Sequence, residues 1–312
     1  MPQTANNTYL SQTRKLFHCN IRIKIPADCH ESILERGFAL LEYIDKQYNS
    51  YTEGSIFNNI NTNAGHWTDI DENTAIMLQS ISKISEICNG AYDITVMPLL
   101  RLWGFYNNGS SIVPLKEQLQ KAISKVDHTK IKLDGLKVMI GKDQEIITGS
   151  FIKAFAVDVL VKQLIEEGVT NGVINAGGST IYSINKGQYV PRDINLPHPF
   201  KKDEKLGNIN ISNASFSLSA AISGFITIDG KKYGHIINAK TGNPSANIQV
   251  GIICKSAFLS DVLSTALFSI NEENFEAVTT ELKAHFDFEA YLITQQGYIK
   301  ATDYAPFKAL KI

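Results

Sequence analysis

Tyr233–Leu267 reads YGHIINAKTGNPSANIQVGIICKSAFLSDVLSTAL. Tyr233-Gly234 leads into His235, which is followed by the apolar pair Ile236 and Ile237. Lys240 to Pro244 is a turn, because Gly242 and Pro244 set backbone angles that other residues avoid. Ile248 to Cys254 alternates and ends apolar, as a half-buried strand does. A helix then starts near Ser260 or Asp261, with Ala266, Leu267 and Phe268 inside it. Asp261 and Thr265 stand at i and i+4, so both side chains share one helix face. Two uses fit that pair. A carboxylate and a hydroxyl side by side can offer oxygen ligands to Mg²⁺. Alternatively, Asp261 caps the helix and Thr265 bonds back to a carbonyl.

Outward from this stretch the chain is ordinary in bulk. Its 312 residues are 44% hydrophobic and 20% charged, with a net charge of −1. That composition suits a sizeable core, in one large domain or two intertwined lobes. The near-neutral balance argues against a nucleic-acid surface. No apolar run reaches the roughly 18–20 residues of a membrane helix. The first residues, MPQTANNTYLSQTRKLF, lack a charged region followed by an apolar one, so no signal peptide is visible and the cytoplasm is the expected compartment. Cys19, Cys29, Cys88 and Cys254 are scattered without a CxxC, which predicts reduced thiols rather than disulfides or zinc.

Residues 1–13 are polar and read as a loose segment, leaving 14–312 as the folded unit. Lys15 to Ile25 reads as a strand, Glu31 to Tyr48 and Asn73 to Cys88 as amphipathic helices, and the Asn-rich stretch Asn49 to Gly65 as a long loop. Trp103-Gly104-Phe105 suggests a packed hinge or a lid over a flat ligand. Val113 to Val126 reads as a helix entered at Pro114, and Asp134-Gly135 as the turn of a hairpin. After a short strand at Ile146–Thr148, Phe151 to Glu167 is a helix apolar on most sides, hence central. Strands follow at Gly172–Ala176, Thr180–Ile184, Gln188–Val190, Ile194–Leu196, Ile209–Ile211 and Ser215–Leu218. A hairpin about Asp229-Gly230 runs from Phe225–Ile228 to Lys231–Ile237, and delivers His235. Glu272–Leu282 is a short helix, followed by strands Phe286–Thr294 and Tyr298–Ala301. Strands and helices alternating irregularly, with several hairpins, predict an α+β fold built mainly of antiparallel sheets.

Three residues stand out beyond the Asp261–Thr265 pair. Lys153 lies in the first turn of a helix, where the dipole disfavours a cation unless an anion is also present. It either builds an anion site with Gly149, Ser150 and the free N–H groups, or pairs with a carboxylate across the fold or snorkels to water. Asp93 is the only charge in its apolar stretch before Arg101. It either caps the turn around Thr95 or accepts from a ligand's N–H, since an unpaired buried carboxylate is costly. His235, in a strand beside a turn, reads from its surroundings as a core histidine with both ring nitrogens bonded.

Six stretches, in order, resemble the ApbE family of FAD:protein FMN transferases. They are Ser55 to Asn61 (SIFNNIN), Gly90 to Phe105 (GAYDITVMPLLRLWGF), Gly149 with Lys153 and Asp158, Asn175-Ala-Gly-Gly178, Gly230 to Pro244 (GKKYGHIINAKTGNP), and Ser260 to Ala266 (SDVLSTA). The resemblance spans about residues 15–300. It implies an α+β protein that binds FAD in a cleft, uses Mg²⁺, and moves FMN onto a Ser or Thr hydroxyl of a target flavoprotein with release of AMP. By position, Asp261, Thr265 and the Ser150 carbonyl would hold the metal. Lys153 would lie near the pyrophosphate and Asp93 near the adenine half, with Asn61, Thr95, Gly149, Gly177, Gly178 and Ser219 along the cleft. His235 would be the general base, since a neutral imidazole suits removal of a hydroxyl proton.

The chain departs from that family's usual pattern at Ile147, Ala154, Ser179, Leu218-Ser219-Ala220 and His18-Cys19-Asn20. The resemblance also leaves open a FAD pyrophosphatase, as some relatives are, and the departures a flavin-binding protein without turnover; a scaffold that has lost its ligand is a third alternative.

Overall fold

A computed structural model describes residues 8–106, 112–187, 189–201, 203–221 and 224–311. The chain opens with a hairpin, β1 (Tyr9–Leu16) and β2 (Cys19–Pro26), paired from Tyr9↔Pro26 to Leu16↔Cys19. A strand therefore begins at Tyr9, inside the segment expected to be loose, and the single strand expected over Lys15–Ile25 is bent in two. Phe17 and His18 make the bend at positive φ, without the Gly or Asn that usually announces one. Then come α1 (Ser32–Tyr48), α2 (Ile56–Thr62), β3 (Thr68–Asp69), α3 (Glu72–Ile87), α4 (Met97–Trp103), α5 (Lys116–Ile123), β4 (Lys132–Asp134), β5 (Lys137–Met139) and α6 (Ile152–Glu166). The second half carries β6 (Asn171–Ala176), β7 (Thr180–Asn185), β8 (Arg192–Pro197), β9 (Lys205–Ile211), β10 (Ala214–Ala220), β11 (Phe225–Ile228), β12 (Lys231–Gly234), β13 (Ile237–Asn238), β14 (Asn243–Pro244), β15 (Gln249–Cys254), α7 (Ala257–Ser269), α8 (Phe275–Lys283), β16 (Phe288–Ile293) and β17 (Ile299–Ala301).

Eight of these strands form one sheet in the order β1-β2-β6-β7-β10-β15-β16-β17, and every neighbouring pair in it is antiparallel. The α+β expectation is thereby met. On one face lie α7 and α6, both apolar almost all round, as helices buried between layers must be. Helix α1 packs outside α6 through its stripe Leu34, Phe38 and Leu41. The other face is covered by the β8–β9 ribbon, with Leu196, Ile209, Phe216, Tyr291 and Phe307 in a second core. Close contact there is decided at Gly251, where a Cβ would stand 2.2 Å from the Tyr291 ring. A third apolar cluster joins α4 and α5 to β11 and β13 through Leu99, Trp103, Ala122, Ile228 and Ile237.

Several expected boundaries move. The Asn-rich loop contains α2, capped by Ser55, whose hydroxyl accepts from Asn58 N, and anchored by the buried Phe57 and Ile60. Trp103 ends a helix rather than forming a hinge, and Gly104 caps it at φ +92°. Helix α5 begins at Lys116, two residues past Pro114. Among the described residues Ile146–Thr148 pairs with no strand; Ile147 N donates to Ile94 O. Gln188 lies outside the described residues, and Tyr189 and Val190 belong to no strand. Strand β12 stops at Gly234, so His235 stands beyond it.

Candidate active site

The site is built around the start of α7. Its N-cap is Ser256, whose hydroxyl accepts from Leu259 N, so the helix starts ahead of Ser260, at Ala257, and Asp261 is not its cap. A second cap comes from α6: Asp158 accepts from Ala257 N (2.6 Å), Phe258 N (3.0 Å) and the Ser256 hydroxyl (2.6 Å). This carboxylate is held at the positive end of a helix. Burial nevertheless pushes its pKa above the ordinary range, against those hydrogen bonds. Along α7 the face toward β10 carries serines. Ser260 Oγ bonds to Ser217 Oγ (2.7 Å) and Ser215 Oγ (3.0 Å), and Ser264 Oγ to Ser219 Oγ (2.9 Å). These short side chains let helix and strand approach closely while their hydroxyls satisfy each other.

Asp261 therefore sits in the second turn, buried, and cannot cap the helix. Its Oδ2 lies 3.2 Å from Lys153 Nζ, with the two side chains 9% and 13% exposed. Lys153 also donates to Thr180 Oγ1 (2.7 Å) and Ser179 Oγ (3.1 Å). Burial holds the Asp261 pKa above the ordinary carboxylate range, with the Lys153 ammonium opposing the rise. Of the readings open for Lys153, the pairing with a distant carboxylate is the one present. Thr265 Oγ1 donates to Asp261 O at 3.2 Å, the back-bond expected of a mid-helix threonine.

A cavity of about 570 Å³ opens over this pair. Gly149, Ser150, Lys153, Gly177, Gly178, Ser219, His235, Asp261, Thr265 and Asp93 all line it. So do Ile147, Ser179, Leu218 and Ala220, four of the departures. Gly177 and Gly178 have φ of +68° and +75°, and a Cβ on Gly177 would stand 3.1 Å from Cys19 Sγ. Positive φ and close approach together require glycine at 177.

Two predicted residues stand behind the wall. Asn61 clamps the segment leading to Gly149, donating to Ile146 O (2.9 Å) and accepting from Ile146 N (2.7 Å). Thr95 is fully buried and donates to Asp93 Oδ1 (2.7 Å). Asp93 also accepts from Thr95 N (2.8 Å) and His128 N (2.7 Å), so its carboxylate serves the turn, the first of its two expected uses. Tyr92, unmarked in the sequence, reaches Ser150 Oγ at 3.0 Å. Its partner is 58 residues away, so no local pattern could reveal it.

His235 is exposed at the cavity wall, which removes the core-histidine alternative. Its Nδ1 lies 3.0 Å from Gly224 O. A carbonyl only accepts, so Nδ1 carries the proton and Nε2 of the neutral ring carries the lone pair. Phe105 meets the ring edge-on at 6.4 Å. The hairpin arm is fixed from below, where Trp103 Nε1 donates to Gly242 O (2.8 Å) and the indole rests on Tyr233.

Among the described residues no cluster of three or more His, Cys, Asp or Glu side chains could hold a metal. The oxygens of Asp261, Thr265 and Ser150 around one cavity instead fit a hard cation bound by a single carboxylate, its shell completed by water and phosphate. Among the described residues no helix is long and apolar enough to cross a membrane.

Comparison with known proteins gives a consistent answer. The ApbE family model matches residues 17–290. The chain is 26% identical over 246 residues to the FAD:protein FMN transferase of Vibrio cholerae, covering 77% of this chain and 73% of that one. It is 25% identical over 286 residues to the protein of that name from Haemophilus influenzae, covering 87% and 81%. Among solved structures, the ApbE protein of Thermotoga maritima superposes with a TM-score of 0.86 at 23% identity, over 96% of this chain and 98% of that one. The flavin transferase ApbE from Vibrio cholerae gives 0.82 at 21%, over 98% and 100%. These two likenesses establish the shared fold.

Proposed function

Since this chain belongs to the ApbE family, we propose that it is a FAD:protein FMN transferase that moves the FMN half of FAD onto a Ser or Thr hydroxyl of a target protein and releases AMP. The observation that carries this reading is the disposition of His235. Its Nδ1–H is committed to the Gly224 carbonyl, which leaves Nε2 as a proton acceptor at the wall of a cavity whose buried cation is Lys153.

The target oxygen attacks the phosphorus of the FMN half and forms the new P–O bond. The bond from that phosphorus to the AMP phosphate oxygen breaks, and the hydroxyl proton passes to His235 Nε2. Asp261, Thr265 and the Ser150 carbonyl would hold Mg²⁺, which when bound supplies positive charge against the phosphoryl oxygens. Lys153 adds a fixed positive charge on the same side, worth most where water is excluded. Gly177 and Gly178 let backbone approach the ligand without a side chain between. Asp158 and Asn61 hold the two segments that carry these groups.

Because His235 is exposed, water can also stand where the target hydroxyl would, giving FMN and AMP instead. One experiment separates the outcomes: mass spectrometry of a candidate Ser/Thr peptide mixed with the protein, FAD and Mg²⁺. A peptide carrying FMN, with AMP in equal amount, is expected. AMP with free FMN alone would give the hydrolase. Intact FAD throughout would overturn both.

A further inference from the structure

The contacts of Lys153 bear on how the cleft is loaded. Its ammonium has three protons and three partners: Asp261 Oδ2, Thr180 Oγ1 and Ser179 Oγ. It is therefore fixed in place rather than swinging in solvent. Asp261 is also the single carboxylate among the oxygens suited to a divalent cation. A divalent cation on Asp261 would face a fixed like charge a few ångströms away, inside a buried site where screening is weak. Asp261 cannot serve both fully. Ser179 and Thr180 are neutral, so they give the ammonium hydrogen bonds without cancelling its charge.

We propose that Lys153 sets the order of loading: its ammonium holds Asp261 against a divalent cation until a diphosphate gives that ammonium another partner. The diphosphate of the nucleotide, lying against Lys153, takes up the positive charge and frees the carboxylate. Nucleotide and metal then bind with positive coupling, and the metal alone binds poorly. This rests on the functional reading above and adds to it the sequence of events. Lys153 acts here as a positioning residue, through Asp261.

The test uses Mn²⁺ alone, titrated into the full chain without nucleotide, with free Mn²⁺ followed by electron paramagnetic resonance. Wild type should bind weakly. Lys153→Met and Lys153→Gln should each bind at least about tenfold tighter, the scale of ordinary coupling between sites. The glutamine variant keeps a donor for Asp261 and covers the case in which the methionine variant fails to fold. Lys153→Arg keeps the charge and should stay weak. Adding Asp261→Asn to Lys153→Gln should erase the gain. Equal Mn²⁺ affinity in wild type and both neutral variants overturns the proposal, as does a gain that survives Asp261→Asn. FAD binding in EDTA, read by flavin fluorescence, keeps the two ideas apart. If FAD binds in EDTA while the Mn²⁺ results fail, or if FAD binds only once Mg²⁺ is added, only the loading order falls; if FAD binds neither in EDTA nor with Mg²⁺, the functional reading falls and the loading order with it.

Discussion

Replacing Asp158 by alanine should lower stability by about 2–4 kcal/mol, from the worth of charged hydrogen bonds and helix caps taken together. The side chain accepts from Ala257 N, Phe258 N and the Ser256 hydroxyl, and all three donors lose their partner at once. The sum stays below three full charged bonds for two reasons. Ser256 still caps Leu259 N, and the buried carboxylate already pays for its own desolvation. With roughly 2 cal/mol/K of unfolding entropy per residue, a chain of this length loses about 1.5 °C per kcal/mol, so the melting temperature should fall by about 3–6 °C. Calorimetry measures it directly. A pH series adds a sign. The folded-state pKa of Asp158 is raised, so its contribution is fully present below the ordinary carboxylate range and is lost as pH rises through the raised value. The stability gap between wild type and Asp158→Asn should therefore be widest in acid and narrow toward neutrality. A melting temperature within 1 °C of wild type would mean that Ser256 alone carries the start of α7, and a gap that widens with pH would refute the assigned cause.

His235→Asn should leave FAD binding intact, by flavin fluorescence, while transfer to a peptide falls by roughly 10²–10⁴ as lost acid–base catalysis does. Asp261→Ala should abolish the Mg²⁺-dependent turnover of FAD, read as AMP released against Mg²⁺ concentration; a normal Mg²⁺ response would put the metal elsewhere. Gly251→Ala should cost about 1–3 kcal/mol or more by overpacking against Tyr291, seen as a lowered denaturant midpoint.

What the sequence announced and what it hid divide by distance along the chain. Helix α6 was legible because its apolar residues leave no polar face, and the β11–β12 hairpin because Asp229-Gly230 takes the positive φ its turn demands. Helix α2 was hidden because only Phe57 and Ile60 among its own residues are buried, within an Asn-rich stretch, and a Ser caps its start. Helix α4 is short, with Pro98 in its first turn, in a run that is apolar almost throughout, so periodicity had little to register. The site residues Lys153, Asp261 and His235 drew attention as charges and a histidine in unusual places. The partners each has in the fold lie outside its own element: Thr180 and Asp261 for Lys153, Gly224 for His235. The resemblance to the family placed Asn61 and Thr95 along the cleft. The fold sets them one layer back, Asn61 bracing the Ile146 backbone and Thr95 bracing Asp93.

The partner of His235 is a main-chain carbonyl, and that has an evolutionary side. In many sites the imidazole is oriented by a second side chain, which doubles the number of codons whose change can silence the base. Here the acceptor belongs to the peptide backbone, and every amino acid supplies one. No substitution at position 224 can delete it chemically. What remains under selection there is bulk, because a Cβ on Gly224 would stand 2.7 Å from the His235 ring. Lineages of this protein should therefore drift freely in the polarity of the residues around that ring while keeping position 224 small. The Lys153–Asp261 pair should behave in the opposite way, since each member can be lost by one codon change and neither loss is masked by the backbone.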